Sequence, residues 1–275
     1  MSLPVPQAYP AAMGIGENLE TWNGWQAAVQ ALAWQAELGA VDPIGDAALN
    51  RYDLVTEVAR KSVPAPVDVA VATGPVDAVG LAKDMAQGAA SLDALRDAIA
   101  AYDHCDLKRG ARNMVFADGS PAARVLILGE APGVDEDRAA RPFVGASGQL
   151  LDRMFAAIGM DRGSPDPARG LYITNVLPWR PPENRDPSPA EIAMFRPFVL
   201  RHIALADPDI IVAMGNVPLA CLFDEKGILR ARGQWREVMG KPVLLMAHPA
   251  YLLHNPEAKR EAWADLISLQ ARLRA

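Results

Sequence analysis

The sequence predicts an α/β fold: a three-layer α/β/α sandwich around a four-stranded parallel sheet, with an N-terminal helical extension (residues 1–85) ahead of the main domain (86–275). Three observations predict it. Short apolar runs alternate with helical stretches from about residue 90 onward, the pattern of a sheet covered on both faces. The runs are mostly apolar, as strands buried on two sides are. Polar residues collect just after the runs, at the carboxyl ends where open α/β sheets hold their ligands.

Residues Met1 to Glu17 carry Pro and Gly with little periodicity and read as poorly ordered. From Trp22 to Leu38, apolar side chains at Trp25, Val29, Leu32 and Ala36 follow helical spacing, and Gly39 supplies a stop. Ser62 to Gly80, broken by Pro64, Pro66 and Pro75, reads as a linker. Ser91 then caps a helix with Leu92, Leu95, Ile99 and Tyr102 on one face.

Arg124 to Gly129 is the first expected strand, and Ser147 to Ile158 a helix ended by Gly159. Leu171 to Val176 is the second strand. Pro178 to Pro187 is too rich in proline for either regular element. Ser188-Pro189-Ala190-Glu191 is a helix start with hydroxyl, proline and glutamate each in the favoured place, followed by the stripe Ile192, Phe195, Val199 and Ile203. Asp209 to Gly215 and Pro242 to His248 are the third and fourth strands. Asn255-Pro256 opens a last helix expected to turn Trp263, Leu266, Ile267 and Leu273 inward.

Composition narrows the function classes. Half the residues are apolar, enough for a core, yet no run reaches the roughly 18 residues of a membrane span, and no signal-peptide pattern opens the chain. The expectation is a soluble cytoplasmic protein without membrane partners. Cys105 and Cys221 are the only cysteines, too few for a four-thiolate metal site and, in a reducing compartment, not a structural disulfide. A net charge of −6 argues against polyelectrolyte binding by the whole surface. Lys226, Arg230, Arg232, Arg236 and Lys241 still form a locally basic segment.

The site is expected in the loop after the first strand, Gly129-Glu130-Ala131-Pro132-Gly133-Val134-Asp135-Glu136-Asp137, where glycines let backbone approach a bound group. Three of the four strands end in a residue able to hydrogen-bond a flat polar ring: Glu130, Asn175 and His248. Together with Arg141-Pro142-Phe143-Val144-Gly145, Arg180-Pro181-Pro182, Asn184-Arg185 and His248-Pro249-Ala250-Tyr251-Leu252-Leu253, these motifs resemble the uracil-DNA glycosylase superfamily, specifically its family 4. The resemblance runs from about Cys105 to Leu273.

The resemblance implies an enzyme that flips uracil out of DNA and hydrolyses its glycosidic bond. It assigns Phe143 to stacking on the base and Asn175 to reading its edge, with Gly129 and Ala131 lining the uracil site. His248 would stabilise charge on the leaving base. Glu130, Glu136 and Asn184 match polar catalytic positions, with Asn184 or Glu136 expected to place the water. The branch of the superfamily with an aspartate general base has it where this chain has Ala131, so catalysis should lean on the leaving group. That branch excludes thymine with a tyrosine where this chain has Gly133.

Leu252 or Leu253 would wedge into the vacated stack, and Arg185, Arg180 and His254 would contact DNA. The implied partner is uracil-containing DNA, single- or double-stranded, bound by a monomer associated with the nucleoid. Family 4 holds a four-iron four-sulfur cluster on four cysteines, and here the matching positions are Tyr102, Cys105, Trp179 and Phe195. No cofactor is expected, and the cluster's volume should be refilled by side-chain packing. Pro178 to Pro187 lacks the histidine-bearing insert of a branch that traps DNA covalently. Two alternatives stay open: a glycosylase for other deaminated bases such as hypoxanthine or xanthine, and a non-catalytic binder of uracil or abasic DNA.

Overall fold

The computed structural model describes residues 77–274; the expected helix at Trp22 to Leu38 and most of the expected linker lie outside them. Among the described residues the sheet has six strands: β1 (Ala117–Gly119), β2 (Val125–Gly129), β3 (Leu171–Asn175), β4 (Ile210–Met214), β5 (Trp235–Val238) and β6 (Lys241–Met246). Their order is β1-β3-β2-β4-β6-β5. The central four are parallel and are the four expected strands, while β1 and β5 add antiparallel edges.

Neither edge strand has an apolar run to announce it. β1 is Ala-Asp-Gly, and β5 is Trp-Arg-Glu-Val with two charged residues at its centre, as edges exposed to water allow. The β5–β6 hairpin closes on Met239 and Gly240, both at positive φ, the two-residue turn that matches strand twist.

Ten helices are present among the described residues: α1 (Ala78–Gly88), α2 (Leu92–Ala101), α3 (Leu107–Gly110), α4 (Val134–Ala139), α5 (Ala146–Ala156), α6 (Pro189–Ala206), α7 (Asn216–Phe223), α8 (Ile228–Ala231), α9 (Pro249–His254) and α10 (Lys259–Arg274). α1 corrects two expectations. It takes in the last residues of the supposed linker, and the boundary at residue 86 falls inside it. Asp77 caps it, accepting the Gly80 amide at 2.8 Å.

Alternation along each buried strand divides the core. Leu126 and Leu128, Ile211 and Ala213, and Val243 and Leu245 face α1, α2, α6 and α7. Val125 and Ile127, Val212 and Met214, and Leu244 and Met246 face α5 and α10, where Phe155 and Leu269 are fully buried. Each such large side chain stabilises the fold by roughly 2–3 kcal/mol.

Ser188 and Glu191 form the expected capping box at the start of α6. The last helix departs from expectation. Leu266 is buried, but Trp263 and Ile267 are 45% and 44% exposed, with Ala262, Asp265 and Leu269 inward instead. Arg232 reaches Asp265 from another element and satisfies its buried carboxylate. That long-range partner cannot be read from the helix's own periodicity.

One buried polar pair has a consequence for stability. Tyr172 and His202 hydrogen-bond at 2.9 Å, and Phe116 stacks on the imidazole. Burial holds His202 down to about 4. An unfolded histidine takes its proton near 6.5, so between these values the unfolded state binds more protons and stability falls as the pH falls. The loss is on the order of 3 kcal/mol by pH 4. Urea midpoints measured from pH 7 to 4.5 should drop along this limb and drop less steeply in His202→Gln, with His248, likewise held near 4 by burial, supplying slope that remains; an unchanged limb would remove His202 as a cause.

Candidate active site

The parallel strands bring the expected residues to one edge of the sheet. Asn175 ends β3 and is paired in register with Gly129 at the end of β2. Glu130 follows β2, Gly215 follows β4, and His248 lies two residues past β6. Because β3, β2, β4 and β6 are consecutive in the sheet, these four positions stand side by side.

Phe143 joins them from the turn between α4 and α5. Its ring lies against the Gly129 backbone: a Cβ added at Gly129 would fall 2.5 Å from the ring and 2.3 Å from Asn175 Oδ1. Glycine is therefore required where aromatic and carboxamide meet. The Phe143 ring also rests on His248, with centroids 5.4 Å apart and planes 29° from parallel. Phe143, Asn175 and His248 thus form one contiguous group, with Phe143 and Asn175 buried.

The protonation of His248 follows from its backbone contact. It caps α9, its Nδ1 accepting the Ala250 amide at 3.2 Å. A ring nitrogen that accepts carries no proton, so Nε2 carries it in the neutral imidazole. Burial lowers the ring's pKa to about 4, against a smaller opposing pull from the charge of Glu136. At neutral pH, His248 is an uncharged donor through Nε2.

Glu130 and His248 line one cavity of about 230 Å³, together with Gly215, Asn216, Ala250 and Tyr251. Burial raises the Glu130 pKa, while amides of Val217 and Asn216 at the start of α7 oppose the rise. Gly215 has φ +99°, and a Cβ there would meet Glu130 Oε1 at 2.3 Å. Conformation and space both demand glycine. The turn from Gly215 onward is one of the four strand ends where the sequence places functional residues, but nothing in the sequence marks it as touching Glu130.

Several expected roles change. Glu136 lies in α4, not in an open loop, and its carboxylate accepts the amides of Gly133 (3.1 Å), Val144 (2.9 Å) and Gly145 (2.8 Å). These three bonds take up most of the carboxylate's acceptor capacity, so in this structure Glu136 ties the turn together. Asp137, likewise in α4, accepts the amides of Arg112 and Asn113. Asn184 is exposed and accepts Arg180 Nε at 2.8 Å, so Arg180 is engaged as well. Ala131 is half-buried, packed against the core under α6 and α7.

Arg185 makes a two-pronged ion pair with Glu191 at 2.9 and 2.6 Å, which holds the Glu191 pKa down to about 2. Its charge is spent within the fold. In the basic segment, Arg232, Arg236 and Lys241 are paired with Asp265, Glu225 and Asp207. The expected wedge loop is helix α9. Leu252 is fully buried within it, whereas Leu253 is 38% exposed and His254 is exposed beside it.

The four positions matching cluster ligands occupy one part of the core. Tyr102, Cys105, Trp179 and Phe195 are all buried, and Tyr102 meets Phe195 and Phe198 edge-on at 6.0 and 5.4 Å. One thiol and three aromatic side chains do not fit an iron–sulfur cluster, which needs thiolates. Burial also raises the Cys105 pKa, disfavouring its thiolate. Trp179 Nε1 is buried without a hydrogen-bond partner among the described residues, so it is packing that seats the indole.

Residues 116–267 match the family model described as the uracil DNA glycosylase superfamily. A type-4 uracil-DNA glycosylase of Archaeoglobus fulgidus is 38% identical over 184 residues, covering 64% of this chain and 89% of that protein. One from Thermotoga maritima is 38% identical over 154 residues, covering 55% of this chain and 77% of its own. One from Pyrobaculum aerophilum is 34% identical over 186 residues, covering 64% and 91%.

Proposed function

Because the chain belongs to the uracil DNA glycosylase superfamily, we propose that it removes uracil from DNA by hydrolysing the N-glycosidic bond, leaving an abasic site in an unbroken strand for base-excision repair. The observation that carries the reading is the contiguous group of Phe143, Asn175 and His248, with a proton fixed on His248 Nε2.

Each residue has a task set by the chemistry. Phe143 offers a ring face to the extruded base. Asn175 donates from its amide nitrogen to uracil O4 and accepts the N3 proton, whereas cytosine presents the reverse pair. As the bond breaks, the base leaves with the electron pair and negative charge grows on O2. A neutral His248 donating through Nε2 favours that anion more than the intact nucleotide, which is what lowers the barrier. Water then attacks the oxocarbenium-like sugar.

Glu130, whose raised pKa makes it a better base than a solvated carboxylate, takes the proton that water loses. No lysine lies among these residues, so an amine-dependent strand cut has no nucleophile at the site. Leu253, exposed on the helix that His248 caps, is the side chain suited to fill the gap left in the stack.

Uracil-containing oligonucleotides, single- and double-stranded, incubated with the protein and then heated in alkali should break at the uracil. Intact strands under excess protein would overturn the reading and leave a non-catalytic binder. The same assay on hypoxanthine and xanthine measures breadth. Gly129→Ala should slow uracil release by ~30-fold or more, because the new methyl displaces the stacking ring and the carboxamide together. A rate within about 2-fold of wild type would show that neither contact governs the reaction.

A further inference from the structure

We propose that Arg162 is a positioning residue for base stacking, acting through the backbone of Phe143; this rests on the function proposed above. Phe143 is held at φ +54°, a left-handed conformation that is strained for a bulky residue and persists only when its surroundings enforce it. Arg162 supplies that enforcement. One guanidinium nitrogen donates to the Pro142 carbonyl at 2.9 Å and the other to the Phe143 carbonyl at 3.0 Å.

The clamp is itself rigid. Arg162 is only 11% exposed and is held by Asp152 at 2.7 Å and Asp118 at 3.1 Å. On the far side, Glu136 receives the next two amides, Val144 and Gly145, so carbonyls and amides of one turn are gripped from opposite sides. Gly148 lets α5 close on the same point, since a Cβ there would lie 1.8 Å from the Phe143 oxygen. With its carbonyl fixed, the Phe143 ring is aimed at Gly129 and His248. A planar fork spanning two carbonyls is a task that lysine performs only in part.

A double-mutant cycle tests this. Arg162→Met should slow single-turnover uracil release about 10-fold and weaken inhibition by free uracil to a similar degree, a misplacement effect, while affinity for uracil-free DNA stays within about 2-fold. Arg162→Lys should recover part of the loss. In a Phe143→Ala background, Arg162→Met should add less than about 2-fold, because the side chain it positions is gone.

Equal effects in both backgrounds, or a fully active Arg162→Met, would overturn the inference while leaving the proposed function intact. A wild-type protein that released no uracil would overturn both. Should Arg162→Met fail to fold, Arg162→Lys carried through the same cycle decides by the same criterion.

Discussion

Asn175→Asp should reduce single-turnover uracil excision by about 10²-fold or more, equivalent to roughly 3 kcal/mol, the cost of leaving buried groups unpaired or a charge misplaced. Asn175 is 8% exposed, so water cannot substitute for the lost donor. An aspartate offers only acceptors to uracil O4, itself an acceptor. The same change presents an acceptor where cytosine carries its N4 amine, so the residual activity should shift towards cytosine. Parallel assays on oligonucleotides with a single uracil or a single flipped cytosine opposite an abasic analogue measure both. Unchanged uracil excision would remove Asn175 from base reading.

His248→Ala should depress the single-turnover rate by about 10²–10³-fold, the usual cost of deleting one donor to a developing anion, with DNA affinity changed by less than about 3-fold. The difference between these effects is the evidence for transition-state stabilisation, because equal losses in rate and binding would make His248 a binding group. The pH profile gives an independent check. With a pKa lowered to about 4, His248 stays neutral through the neutral range, so the rate should show no histidine inflection near 6.5. As the pH falls towards 4, protonation at Nδ1 opposes the Ala250 amide and breaks the cap on α9, and activity is lost. An inflection near 6.5 that vanished in His248→Ala would show that the imidazole works as a cation.

The legible part of this molecule is local. β2, β3, β4 and β6 announce themselves because a strand buried on both faces is apolar over most of its length. The start of α6 is legible because Ser188, Pro189 and Glu191 act within one turn. β1 and β5 were not, since half-wet edge strands carry mixed residues, and α4 was hidden in a glycine-bounded acidic stretch that reads as loop. Motif resemblance singled out Phe143, Asn175 and His248, and they do meet. It could not separate Glu130, facing a cavity, from Glu136, six residues on and bound by three backbone amides.

By itself the chain determined its four parallel strands, the side chains at their ends and the aromatic identity of Tyr102, Trp179 and Phe195, because each is a property of residue type and short spacing. Only the tertiary structure decided that His248 is a neutral donor, that Arg185 is neutralised by Glu191, that Leu252 is core while Leu253 is surface, and that Arg162 grips the turn bearing Phe143. Burial and hydrogen-bond partners set those properties. Burial and the Arg162 contacts arise from segments distant in sequence, and even the short-range bonds of His248 to Ala250 and Arg185 to Glu191 need a backbone geometry that residue pattern alone does not encode.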